Sequence, residues 1–365
     1  MKKLLLIAII FSLVITGILS CKKEECINTF EENFLYVLTN NVDTNAILTY
    51  RRSNTDGSLT YLSKTLTGGK GTGLPLASQG PITISNDERW ILAVNAVSNT
   101  ISALKVTDKG LQLKSTISSN GNKPISISCF NNRVYVLNAN DNGKIAGYNL
   151  SDDGTLTPID NSVVTLDSVA TNPAQISFVQ DGKMLAITLK STNKIIAYKL
   201  NDNGSIGEKF SLTSNSPRPY GFAVGKEGNI YVSEAIQGAM SVYNVSTTGI
   251  TSVAGPFLTN QVSACWAATT PNGKYVYILN ANSNSVTGFT INSLTSFTIM
   301  QPSGITAMTG IKPLDIVISG DSMFAYVLNY NDQSIRVFNI TSTGGLERTE
   351  DRFNIPAGST GIAVR

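Results

Sequence analysis

The 365-residue chain contains no histidine. That removes the side chain that most often acts as general base near neutral pH, and also the commonest transition-metal ligand. A Ser-His-Asp or Cys-His device is impossible, and no Walker-type, dinucleotide-binding or paired-cysteine metal motif occurs. What remains for chemistry is carboxylate work, arginine clamps, or a calcium site built from Asp, Glu and Asn oxygens. No catalytic residue and no metal ligand is assigned from the residues alone, and no cofactor is expected beyond the calcium that such oxygens permit.

The residues that could serve a ligand stand out only against a repeat. A short apolar run that breaks into polar residues recurs seven times, starting near Tyr36, Leu92, Tyr135, Leu185, Tyr231, Tyr277 and Tyr326. The period of about 48 residues is that of propeller blades rather than of unrelated domains. Asn95, Asn138, Asn280 and Asn329 hold equivalent places in four units. They could aim oxygens at the axis, but a residue recurring in most blades is more economically a side chain that bonds its own turn.

A site is therefore expected where the repeat departs from itself. Glu234 stands at the Asn place of blade five. At the third place of the innermost strand, Thr83, Ser126, Gln175, Gly221 and Gly361 give way to Trp266 and Asp315 in two blades. The residue before the strand proline is basic in Lys123, Arg218 and Lys312. In propellers, the loops leading into the innermost strands share one rim with the second-to-third loops. Arg218, Tyr220, Glu234, Trp266, Lys312, Asp315 and Tyr330 of blades five to seven thus form the expected ligand-binding set, suited to an anionic or sugar-like ligand. For each a structural role competes: Asp315 in an inter-blade network, Trp266 as core filling, Arg218 and Lys312 as solvated charges.

Four strands per unit follow from alternation and turn chemistry. The innermost follows a proline in five units, as in Pro124-Ile125-Ser126-Ile127 and Pro313-Leu314-Asp315-Ile316, where no ladder bond is lost. Hairpin glycines such as Gly57, Gly110, Gly154, Gly204, Gly249 and Gly345 supply positive φ before the outer strand. The first unit lacks an innermost strand and the chain ends on one, Ser359 to Val364. The expected architecture is all-β: a seven-bladed β-propeller over 33–365, closed by pairing of the C-terminal strand with the N-terminal blade.

The tyrosine-asparagine motifs with their hairpin glycines resemble the YVTN-type repeats of the lactonase-like superfamily of seven-bladed propellers. The resemblance covers residues 33–365 and is specific for the fold. It implies no single activity, because that superfamily holds lactonases acting on phosphorylated sugar lactones, a muconate cycloisomerase, and surface proteins that bind other molecules.

Lys2 and Lys3 before the apolar stretch Leu4 to Leu19 make residues 1–20 a secretory signal peptide. Ile18-Leu19-Ser20-Cys21 resembles the lipobox of bacterial lipoproteins, which implies lipidation of Cys21 and a lipidated tether over 21–32. Lys22-Lys23-Glu24-Glu25 reads equally as a surface-export signal or a solvated tether. No apolar stretch after Thr29 is long enough to span a membrane. The expected location is the bacterial envelope, lipid-anchored at an outer membrane and exposed at the surface.

Without residues 1–20 the chain carries 26 basic against 25 acidic side chains, which gives no electrostatic footprint for nucleic acid. Cys129 and Cys265 fall in nearly opposite blades, too far apart for a bridge, and are expected as buried small hydrophobes. A monomer is expected. The first functional reading is a binding or interaction module for a protein or glycan ligand. The second is a lactonase-like hydrolase with a divalent cation held by Asn, Asp and Glu oxygens.

Overall fold

The structure is a computed structural model that describes residues 33–365; the signal peptide, Cys21 and the tether lie outside the described residues. Seven antiparallel sheets of four main strands each make up the chain; in six the strands are consecutive, and in the first the innermost is the last strand of the chain. Blades three and six carry their outer strand in two pieces, Leu156–Pro158 with Val164–Thr165, and Ser296–Ile299 with Ala307–Met308.

Burial explains the strand patterns. The second strands, Trp90–Asn95 and Phe324–Asn329 among them, are buried at every position or at all but the first, and so read as continuous apolar runs. An outer strand such as Gly110–Ser118 has one face in solvent and alternates with period two. The motif tyrosines pin neighbouring blades together. Tyr135 Oη donates to the Gly204 carbonyl of blade four at 2.6 Å, Tyr277 to Gly344 of blade seven at 2.8 Å, and Tyr326 to Gly57 of blade one at 2.9 Å.

The ring closes as the strand count requires. Ile362–Val364 pairs antiparallel with Asn33–Leu38, with Leu35 opposite Val364, Tyr36 opposite Ala363 and Val37 opposite Ile362. Gly361 accepts from the Leu38 N–H and Thr360 donates to the Leu38 carbonyl, so the ladder runs on past the strand itself.

Blade two corrects the expected register. Ile82 faces Ala93 and the Val94 N–H bonds the Pro81 carbonyl, so Pro81 rather than Thr83 holds the third place. The cause is the segment before it, which enters the channel before becoming a strand. Cys265 is buried, whereas Cys129 is only partly so; both are free thiols.

Candidate functional site

Residues 77–80 fold across one end of the central channel and are held by hydrogen bonds from three other blades. Ser78 Oγ donates to the Ile125 carbonyl at 2.7 Å and Ser126 Oγ to the Gln79 carbonyl at 2.7 Å, both in blade three. The Gln79 N–H reaches the Ala174 carbonyl of blade four at 3.1 Å. The Gln79 side chain crosses to blade six, donating to the Ala267 carbonyl at 2.8 Å and accepting the Ala267 N–H at 3.1 Å. Trp266 Nε1 donates to the Ser78 carbonyl at 3.0 Å. Glycines stand where the plug needs room: a Cβ on Gly221 of blade five would lie 2.0 Å from Gln79 Oε1, and one on Gly361 would lie 2.3 Å from the Pro81 ring.

The third-place row therefore has a common job. Ser126 accepts the Ile176 N–H at 3.2 Å, and Gln175 exchanges bonds with both backbone groups of Phe222 at 2.6 and 3.0 Å, each tying one innermost strand to the next. Asp315 does the same for the closure, accepting the Ile362 N–H at 3.0 Å on Oδ2 and its neighbour Ile316 N–H at 2.9 Å on Oδ1. Below the plug the channel opens as a cavity of about 320 Å³ lined by Gln79, Gln175, Ala267, Asp315 and Ile362. A larger recess of about 520 Å³ adjoins it, sharing Thr83 and Val224. These volumes suit a small ligand.

Asp315 is the titratable group of that cavity. Burial pushes its carboxyl up to about 7, against the two backbone N–H groups that favour the charged form. The fifth place of the innermost strands adds a polar wall, because Thr83, Ser128 and Ser177 of blades two to four line the recess. Blades five to seven carry Ala223, Ala268 and Val317 there, which line the channel cavity with Ala363 of blade one. The signal for this wall lies in the sequence, two residues beyond the third place that Trp266 and Asp315 hold in their blades.

Above the plug lies a basic mouth. Lys190 of blade four is buried, donates to the Ala77 carbonyl, and lies 4.5 Å from the centre of the Tyr220 ring, which packs 5.3 Å from Trp266. Burial pulls its ammonium down to about 7; the positive charges of Arg218 and Lys123 act the same way, while Cys265 opposes them. Lys190 was missed because it falls one place after the Asn position. That place is alanine in four blades and Tyr330 in blade seven.

The seven expected residues thus divide. Tyr220 and Trp266 come together under Lys190, and exposed Arg218 lies near them. Exposed Lys312 lies 5.7 Å from the Tyr330 ring, whose hydroxyl donates to Gly73. Asp315 is buried and lines the cavity on the other side of the plug. Glu234 reaches neither space: it is fully buried within blade five, where it accepts from Ser241 at 2.7 Å and Tyr243 at 2.7 Å. Desolvation raises its carboxyl above the ordinary range despite those bonds.

The four asparagines are fully buried and serve their own turns. Asn95 Nδ2 donates to Thr100 and Ser102, and Asn280 Nδ2 to Ser285 and Thr287. The oxygens of Asn95, Asn138 and Asn329 accept from Thr67, Ser119 and the Gly310 N–H. Among the described residues no group of three Asp, Glu, Cys or His side chains stands together.

The sequence model described as "Lactonase, 7-bladed beta-propeller" matches residues 75–360. The chain belongs to this lactonase family. Among solved structures, a candidate 6-phosphogluconolactonase from Bacteroides fragilis is 18% identical with a TM-score of 0.76, over 92% of this chain and 99% of its own. The periplasmic gluconolactonase of Pseudomonas aeruginosa is 15% identical with a TM-score of 0.73, over 91% of this chain and 99% of its own. Likeness at such identity shows the fold. None of the curated proteins matches the chain. Family membership corrects the first functional reading: the binding module gives way to the lactonase-like hydrolase.

Proposed function

We propose that the chain is a lactone hydrolase whose reaction takes place in the channel cavity beneath the plug. The observation that carries this is Asp315, a buried acid lining the channel cavity in a family of lactonases, whose carboxyl burial pushes up to about 7, suited to general-base work near neutral pH. As a carboxylate it accepts a proton from water, whose oxygen attacks the lactone carbonyl carbon. The ring carbon–oxygen bond breaks, the leaving oxygen takes a proton, and the product is the open hydroxy acid. The hydroxyls of Thr83, Ser128 and Ser177 suit a sugar-type lactone, the class that the relatives' names describe.

The test is turnover above the spontaneous rate on a panel of sugar lactones, with and without a chelator. Enzymic, chelator-resistant hydrolysis is expected. A panel without turnover would overturn the reading, and activity abolished by chelation would overturn its metal-free form.

We further propose that the protein acts as a monomer anchored in the envelope through lipid on Cys21, at an outer membrane and exposed at the cell surface. The support is the signal-like start and the Ser20-Cys21 motif. Radiolabelled fatty acid incorporated by the wild type and lost in Cys21→Ser is expected; equal labelling would refute the anchor.

A further inference from the structure

We propose that Lys123, Lys190 and Arg218 form an anion-binding site for a phosphate- or carboxylate-bearing ligand at the mouth above the plug, separate from the channel cavity. The three cations come from blades three, four and five. Lys123 and Arg218 occupy the same place in their blades, each with positive φ and with its N–H held by an asparagine of the preceding blade, Asn99 at 2.8 Å and Asn193 at 2.8 Å. The same turn recurs at Lys312 of blade seven, held by Asn284 at 2.8 Å, and Lys123 and Arg218 are the two whose charges act on Lys190. The second-strand ends lie against the same turns, since the Ala139 N–H bonds the Lys123 carbonyl and the Ala235 N–H that of Arg218.

Charge balance carries the argument. Lys190 is buried, and its ammonium has a backbone carbonyl and the Tyr220 ring for partners. Among the described residues the ion pairs involve Arg52, Arg89, Lys194 and Arg365, and none of these three cations. A buried ammonium beside two further cations is costly unless a negative charge joins it. The titratable groups nearest it are Tyr220 and Cys265. Burial holds both protonated, Cys265 at about 12, so neither supplies that charge near neutrality. An anion from solution would supply it, with Arg218 offering paired N–H donors and the lysines point charges.

Inorganic phosphate is the probe, in the absence of lactone, so that the outcome is independent of the lactonase reading. With the lysine side chains isotope-labelled, NMR should show the Lys190 titration midpoint moving up by at least one pH unit at saturating phosphate. Arg218→Ala, an exposed change with little bearing on folding, should weaken phosphate binding at least tenfold, as should Lys123→Ala. Binding unchanged in both variants, or a Lys190 midpoint that phosphate does not move, would overturn the site. Kinetics then tests the separation from the channel cavity. Phosphate binding that does not compete with lactone is expected of a separate ligand, and competitive inhibition of turnover by phosphate would overturn the separation.

Discussion

Glu234 and Asp315 are both carboxyls at departures from the repeat, and their surroundings give them different work. Glu234 is enclosed by hydroxyls of its own blade, while Asp315, buried as well, lines a cavity. Glu234→Gln should therefore cost stability, about 1–3 kcal/mol for a buried acceptor pair left imperfectly matched, and leave kcat/KM of the folded protein unchanged. Chemical denaturation alongside lactone turnover checks this; a loss of turnover at full folding would place Glu234 in the reaction. A second contrast concerns hydroxyls. Tyr326 Oη has the Gly57 carbonyl as partner, whereas the Tyr36 hydroxyl is buried without one. Tyr326→Phe should destabilise by about 1 kcal/mol, while Tyr36→Phe should be neutral or stabilising, as read by denaturant midpoints.

The tyrosine contrast has its origin in the hairpins. Tyr135, Tyr277 and Tyr326 meet neighbours whose third-to-outer turns are long, such as the loop between Arg52 and Leu59 that carries Gly57. The blade beside Tyr36 makes its turn tightly, with Thr107 opposite Gly110. Repeat, strand order and seam were legible in the sequence because they rest on local periodicity and on a count of strands. The plug was not, because Leu76-Ala77-Ser78-Gln79-Gly80 has the composition of an ordinary loop, and its partners lie as far off as Ala267. The same gap misplaced Thr83 and left Gly221 and Gly361 without a reason. Gly221→Ala should expel Gln79, since φ there is ordinary and the obstacle is the close approach. Loss of at least 2 kcal/mol is expected, as for an overpacked core, measured by thermal unfolding, and unaltered stability would contradict the plug's packing.

At the scale of the whole ring, removing residues 359–365 takes away the closing strand and the Asp315–Ile362 bridge together. The truncated chain should lose its single cooperative transition; one sharp melt at the original temperature would refute closure. The pH dependence of stability follows from the two buried groups shifted to about 7. Asp315 has its pKa raised from 3.8, so its contribution is present below pH 3.8 and is lost as pH rises through about 7. Lys190 has its pKa lowered from 10.5, so its contribution is present above pH 10.5 and is lost as pH falls through about 7. Stability should therefore pass through a minimum near neutrality in phosphate-free buffer, and Lys190→Met should flatten the alkaline limb. Melting temperatures from pH 5 to 10 test both signs.

The most direct measurement of the central claim is the pH profile of kcat/KM for lactone hydrolysis, in the wild type and in Asp315→Asn shown by circular dichroism to be folded. Activity rising through a single ionisation near pH 7, with at least a hundredfold loss in the variant, is the predicted result. A flat profile, or a folded variant that hydrolyses lactones at the wild-type rate, would contradict it.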